Sequence, residues 1–518
     1  MKINEREFHS KVLGCWMGKN IGGTLGAPME WKRGLLDLDF YAQKLDGEPL
    51  PNDDLDIQLL WLVALEEKGI ALDAHTLAEY WTLYVTPHWS EYGTAKVNMR
   101  AGLMPPLCGD VDNPYKHSCG AFIRSEIWAC IAPGAPEVAA RYAYQDAMLD
   151  HGARGEGTYA EVFCAAMESA AFVEHDFRKL IEIGLSFIPV ESGVAGAVRL
   201  AIASYDGGET WQQARDTMLE KFRGDTFMGW HHHTSEEDHK KGFTDGVRGW
   251  DAPSNVGILV IGLLYGEGDF SKTICTAVNC GEDTDCTGAT AGALFGIIYG
   301  IEAIPEKWIA PIGRGIKVGC LNFGELGYYG DQLPQNVDEL TARTVEVAKT
   351  ATRAHNLPLQ LTDGETDLIE YSIDRFFAGG NLQTLYANGP VYKFDFFEVE
   401  VDYGEGAWAK NGEEKTVKLQ IRNTYKAQAV LNLQVYAPDG WQVAPSKGGV
   451  VMSLPSHLSG PVNVEFRLRC EQIEKPLSRF VVEITSEGRQ LAMLIPIVLQ
   501  NRNWRPTVEA KIKTNEAA

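Results

Sequence analysis

Two acidic runs carry the densest chemistry in the chain: Asn52-Asp53-Asp54-Leu55-Asp56 and Glu282-Asp283-Thr284-Asp285-Cys286. Carboxylates this close repel one another unless a positive charge lies between them. A hard divalent cation meets that need, because Mg2+, Mn2+ and Ca2+ take oxygen ligands from carboxylates, hydroxyls and water. If both runs reach one pocket, they form a carboxylate metal centre with one ion or two. A plainer role is also open. Each run leads into an apolar, helix-like stretch, and Asp and Asn cap helix starts and suit the positive end of the helix dipole. One acid is enough for a cap, yet the first run holds Asp53, Asp54 and Asp56 together.

The elements that would position these runs are helical. Residues 1–355 read as α-helix and turns. The stretch from Leu59 runs through Leu65 and Glu66-Glu67-Lys68 to Gly69, a helix stop. After the second run, Gly288, Gly292 and Gly296 fall four apart with Ala289, Ala291 and Ala293 between them, a smooth helix face that permits close packing. From about residue 395 the period changes to two. Val417, Leu419 and Ile421 alternate with polar residues, as do Leu431, Leu433 and Val435, and Val462, Val464, Phe466 and Leu468. Turns such as Pro438-Asp439-Gly440 separate these strands. The pattern predicts a multidomain α and β chain: an all-α domain over 1–355, a connecting segment over 356–394, a small antiparallel Ig-like β-sandwich over 395–505, and a flexible tail over 506–518.

The chain has 518 residues and a formal charge of −23. Such a surface repels phosphate backbones and excludes a nucleic-acid polymer as partner. The charged N-terminus, MKINEREFHSKVLGCW, is unlike a secretory signal, and no apolar run is long enough to span a bilayer, so no membrane role is expected. The ten cysteines show no disulfide framework, which fits reduced thiols in a cytoplasm. A homo-oligomer is compatible with everything above.

Gly18-Lys19-Asn20-Ile21-Gly22-Gly23-Thr24-Leu25-Gly26-Ala27-Pro28-Met29-Glu30 resembles the opening motif of the ADP-ribosylglycohydrolase family, which includes the DraG-like enzymes. Asn52-Asp53-Asp54 is similar to that family's Ser/Thr-Asp-Asp metal motif. Gly281 to Cys286, with the small-residue stretch Thr287 to Gly296 behind it, is similar to its Gly-Gly-Asp-Thr-Asp-Thr motif and glycine-rich helix. Ile304-Pro305-Glu306-Lys307-Trp308 resembles the Ile-Pro-x-x-Trp that follows. The resemblance implies a compact all-helical domain with Mg2+ in a cleft, two ions by family precedent, Mn2+ or Ca2+ being alternatives. It implies Asp53, Asp54, Asp283 and Asp285 as ligands, with Asn52 at a Ser/Thr position and Cys286 at the family's final Thr. Thr287 is the hydroxyl alternative, because sulfur is a poor ligand for Mg2+. Glu30 matches a carboxylate near the scissile bond, and Glu30, Asp54 and Asp283 are the implied catalytic acids and bases.

The same resemblance implies a substrate-binding role for His151, which follows Asp150, and for Ser118 and Gly120 in the loop Ser118-Cys119-Gly120-Ala121-Phe122-Ile123-Arg124. As residues alone, a lone His is more often structural and the loop reads as a helix entry. His231-His232-His233 to His239 suits a soft ion or a solvated loop. Gly152 to Gly157 fits no phosphate-loop template. Trp89, Tyr92, Trp230 and Trp250 suit stacking on a sugar or base, or packing. The function implied is metal-dependent hydrolysis of an N- or O-glycosidic bond to ribose, in ADP-ribosyl groups or in a smaller ribosyl, nucleoside or saccharide compound. Gly23 in place of the family's common Asp, Cys286 in place of Thr and the appended sandwich keep the smaller compounds open. The alternative is a non-catalytic, metal-dependent ligand-binding protein on the same fold.

Overall fold

The computed structural model describes residues 1–30, 34–223, 231–232, 246–247, 249–321, 332–368, 372–379, 386–445, 449–490 and 492–502. The tail expected at 506–518, Trp230 and His233 to His239 lie outside the described residues. The chain divides into two compact units, one of Met1–Arg100 with Met104–Tyr386, the other of Ala101–Leu103 with Ala387 onward.

The first unit is helical, with sixteen α-helices described. Six of them frame the site: α1 (Glu5–Gly26), α2 (Asp53–Lys68), α3 (Ser90–Ala101), α4 (Glu156–Ala170), α5 (Ala252–Tyr265) and α6 (Thr284–Tyr299). Helix α1 is capped by Asn4, whose side chain accepts from the Arg6 N–H at 2.9 Å. Helix α2 ends at Gly69, where φ is 81°. From Lys11 to Gly26 nothing in α1 is exposed, and α6 is buried from Thr284 to Ile298. Both helices are therefore core on every side, and they meet backbone to backbone. A β-carbon on Gly14, Gly18, Gly22 or Gly26 would come within 3.0 Å of the backbone at Gly296, Gly292, Gly288 or Thr284 respectively. That order makes the helices antiparallel, so the end of α1, leading to Glu30, lies against the start of α6 with Asp283 and Asp285. The Thr284 hydroxyl seals the junction by donating to the Gly26 carbonyl at 2.9 Å.

The segment expected as a connector over 356–394 is mostly built into this unit. Gln360–Thr362 pairs in parallel with Lys2–Asn4, and the Tyr386 hydroxyl donates to the Phe187 carbonyl. Main-chain pairing and a half-buried tyrosine override the irregular look of that stretch.

The second unit is two five-stranded sheets. The first orders its strands Trp441–Ala444, Val462–Cys470, Glu414–Asn423, Phe397–Asp402, Val391–Lys393, all antiparallel. The second orders Val450–Ser453, Ala429–Tyr436, Leu477–Ser486, Met493–Asn501, Trp408–Ala409, antiparallel except for the last, parallel pair. The strands begin at Val391, slightly ahead of the expected 395. Val417, Leu419, Ile421, Leu431 and Leu433 are buried while their polar neighbours face outward, the alternation that a one-sided sheet requires.

Candidate metal centre

The turn before α6 is tightly wound. Gly281 and Glu282 both have positive φ, 78° and 69°, and for a non-glycine residue this conformation is strained. The strain is held from two sides. Asn255 of α5 accepts from the Asp283 N–H at 3.1 Å, and the buried Glu282 carboxylate pairs with Arg223. Glu282 thus anchors the turn, and Asp283 is left as the N-cap of α6 with its side chain making no capping bond.

Three elements then converge. Ligand atoms of Glu30, Asp283 and Asp285 all lie within 4.8 Å of one another, as do those of Asp54, Asp285 and Cys286, so Asp285 joins two adjacent groups. Asp54 is fully buried, and neither of its carboxylate oxygens, nor Oδ1 of Asp285, receives a hydrogen bond from a described residue. Burial is the largest influence on Asp283, followed by the charges of Asp285 and Glu30, and together they push it well above the usual carboxylate range. Asp285 is raised as well, by burial first. Carboxyl groups crowded in this way favour a cation between them. Asp53 is pushed up to about 6, by burial first and then by Asp285.

The positive charge that faces the cluster is Lys19 of α1. Its Nζ is 2.7 Å from Glu126 Oε1 and 3.6 Å from Asp54 Oδ1. Burial would lower the Lys19 pKa, but Glu126 and Asp54 override it and keep the ammonium charged. Gln58 of α2 bridges the network, donating to the Asp54 carbonyl at 3.0 Å and to Glu126 Oε2 at 2.8 Å. One lysine cannot balance Asp54, Glu126 and the four other acids at the cluster, Glu30, Asp53, Asp283 and Asp285. The donor set fits a divalent cation: all oxygen at Glu30, Asp283 and Asp285, and oxygen with one sulfur at Asp54, Asp285 and Cys286.

Some expected ligands are otherwise engaged. Asn52 caps α2, its Oδ1 accepting from the Asp54 N–H at 2.8 Å, so the capping role takes the amide oxygen. The Thr287 hydroxyl turns back on its own helix, donating to the Asp283 carbonyl at 2.9 Å. Cys286 shares a ligand group with Asp54 and Asp285, and its buried thiol is pushed well above its ordinary pKa by burial and then by Asp283. Asp56 accepts from the Gly319 and Cys320 N–H groups, both at 2.6 Å, and tethers a loop.

The cluster opens on a cavity of about 240 Å³ lined by Glu30, Asp53, Asp283, Asp285 and Cys286 on one side and by Glu91, Ser118 and Gly120 on another. Trp89, 51% exposed, and Trp250 stand on its wall, while Tyr92 is buried and packs edge-on against Trp81 at 5.0 Å. Gly120 is small for the sake of Glu91, whose Oε1 fills the space that a β-carbon would take. His151 is fully buried and stands behind Ser118, reaching the cavity only through that hydroxyl, 2.9 Å from its Nε2.

A family model for ADP-ribosylglycohydrolase matches residues 4–348, well over half of the chain. The chain belongs to the ADP-ribosylglycohydrolase family. Membership supports a glycosyl-hydrolase type of function, and the region beyond the ADP-ribosylglycohydrolase match is mostly β-strand. No curated protein matches the chain. Among solved structures, a FixG-related protein from Vibrio parahaemolyticus is 12% identical, with 21% of this chain and 99% of that one covered and a TM-score of 0.17. A conjugative transposon lipoprotein from Bacteroides eggerthii DSM 20697 is 10% identical, covering 20% and 98%, at a TM-score of 0.15. Among the described residues no helix is long and apolar enough to cross a membrane.

The sequence reading missed Lys19, Glu126, Glu91 and Arg124. Lys19 had a signal: it is the one charge in an apolar, glycine-rich stretch of α1 with no polar face, where only a buried partner makes it tolerable. Glu91, between Ser90 and Tyr92, had none.

Proposed function

We infer that this chain hydrolyses an N- or O-glycosidic bond to ribose in a reaction that needs a divalent cation. Its substrate is an ADP-ribosyl group or a smaller ribosyl, nucleoside or saccharide compound. The observation that carries this reading is a set of buried carboxylate oxygens without a hydrogen bond from a described residue, both of Asp54 and Oδ1 of Asp285, beside Glu30 and Asp283 at the wall of an open cavity. Burying such charges is costly unless they are paired or bind a metal. Glu30, Asp53, Asp54, Asp283 and Asp285 would hold the cation. Mg2+ suits the all-oxygen group, whereas the group that includes Cys286 favours a softer ion such as Mn2+. When bound, the cation supplies Lewis-acid polarisation and orients sugar hydroxyls.

The chain's own residues supply the remainder. Carboxylates around the anomeric carbon stabilise the oxocarbenium character of a glycosidic transition state. Glu30 would take the proton from an attacking water. Trp89 and Trp250 offer apolar faces for a sugar ring or base. The test is release of ribose or ADP-ribose from a panel of ribosides, nucleosides and ADP-ribosyl-arginine, with Mg2+ and with Mn2+. No turnover on any of them with either ion would sink the reading.

A further inference from the structure

Polar side chains run back from the cavity wall in an unbroken file. The Ser118 hydroxyl shares the cavity wall with the Glu91 carboxyl, is among the groups that hold its pKa down, and lies 2.9 Å from Nε2 of His151. Nδ1 of His151 is 2.8 Å from Oδ1 of Asp150. Asp150 is in turn clamped by Arg124, through Nη2 at 2.7 Å and Nη1 at 3.1 Å. His151, Asp150 and Arg124 are fully buried, whereas Glu91 and Ser118 line the cavity. The backbone is shaped around this file: a side chain on Gly157 of α4 would strike the His151 ring, and one on Gly120 would strike Glu91.

The proton count along it is restrictive. Burial would raise Asp150, but Arg124 and His151 hold it down at about 2, so it is a carboxylate. His151 must then donate Nδ1–H to Asp150, and in the neutral ring Nε2 is an acceptor. The Ser118 hydroxyl carries one proton. If it donates to Nε2, its oxygen accepts, and Glu91 must be the acid form. If His151 is the imidazolium, Nε2–H donates to Ser118, and Ser118 donates to a Glu91 carboxylate. The two arrangements differ only by hops along Glu91, Ser118 and His151, so these residues hold one proton in common.

We propose that Glu91 is the general acid of the hydrolysis inferred above, and that Ser118, His151 and Asp150 are positioning residues that supply its proton. The proposal rests on that functional reading. Glu91 passes its proton to the leaving oxygen or nitrogen as the bond to the anomeric carbon breaks and its electron pair moves onto the leaving atom. A water adds to the carbon and gives a proton to Glu30. Glu91 regains its proton from His151 through Ser118, solvent recharges the file at its cavity end, and Glu30 releases its own proton to solvent. Burial, the largest influence, lifts Glu91 to about 7; of the charged groups facing it His151 lowers it and Asp150 raises it. That value suits an acid working at neutral pH.

The test compares methyl and p-nitrophenyl ribofuranosides, both anomers, in wild type and Glu91→Gln. p-Nitrophenolate leaves as a stable anion and needs little protonation. The expected result is a loss of about 100-fold or more on the methyl riboside and a far smaller one on the p-nitrophenyl riboside. Equal losses on both, from an active wild type, overturn the acid role alone; a wild type that cleaves neither overturns the functional reading with it. The shared proton has its own readout, independent of turnover. In wild type the titration of the Glu91 carboxyl should be accompanied by a change in the His151 ring-nitrogen NMR signals; Ser118→Ala should abolish that coupling, and Ser118→Thr should restore it. Coupling that survives in Ser118→Ala overturns the relay.

Discussion

The Asn52 side-chain amide occupies the space in which a side chain at position 23 would stand, overlapping any β-carbon placed on Gly23. These are two of the positions at which the sequence departs from the family pattern it resembles. They are in contact, so one departure accommodates the other: the larger cap of α2 is possible because α1 offers bare backbone there.

Gly23→Ala alone should therefore cost roughly 1–3 kcal/mol from overpacking. Added to Asn52→Ser, which shortens the side chain and keeps a capping oxygen, it should cost much less. Denaturant unfolding of both single variants and the double variant gives the coupling; additive costs would mean the two residues do not share the space.

Asp283→Asn and Asp285→Asn should each abolish hydrolysis and shrink the rise in Tm on adding Mg2+ or Mn2+. For wild type, that rise should reflect about 2.7 kcal/mol at a hundredfold excess over Kd. Without metal the same variants should be more stable than wild type at neutral pH, since each leaves one carboxyl where two are crowded. Full activity in both would end the metal reading.

Cys286→Thr should shift ion preference toward Mg2+ relative to Mn2+, because a hydroxyl is a harder donor than a thiol. Thermal titration of each ion against both proteins measures the shift; an unchanged ratio of affinities would place Cys286 outside the coordination sphere.

Lys19→Met should cost about 3–5 kcal/mol, since it leaves Glu126 and Asp54 buried without their cation. Calorimetry at neutral pH is the check, and added divalent ion should recover part of the loss. A cost below about 1 kcal/mol would mean that the lysine is not balancing those acids.

Stability should also depend on pH through Glu91. Its folded value of about 7 lies above the ordinary 4.5, so the folded state binds the proton more tightly than the unfolded chain does. Its contribution is fully present below about pH 4.5 and is lost as pH rises through 7, a fall of about 3 kcal/mol. Glu91→Gln should flatten that part of the stability-pH curve; an unaltered slope would show that Glu91 titrates as an ordinary carboxylate.

The helices that carry the acidic runs were legible because their signals are local. Asn52 and Gly69 mark the ends of α2, and the four-residue spacing of Gly288, Gly292 and Gly296 marks a helix built for close contact. The strands beyond 395 followed from period-two alternation. What stayed hidden depends on distant pairing. The part of 356–394 that pairs with Lys2–Asn4 looks irregular because its hydrogen-bond partners lie at the other end of the unit. Asn52 matched a ligand position, yet which way its oxygen faces is decided by the backbone of its own helix. Glu91 takes its meaning from Ser118 and His151, which no spacing rule links to it.

The glycine contact between α1 and α6 has a consequence for synthesis. Thr284 follows Gly26 by 258 residues, so at 5–20 residues per second the first helix leaves the ribosome roughly 10–50 s before its partner exists. Through that interval the glycine face of α1 that packs on α6 has no partner. The nascent chain is therefore a natural client for chaperones, and any stop codon before α6 yields a product whose first helix never finds the surface it was shaped to fit.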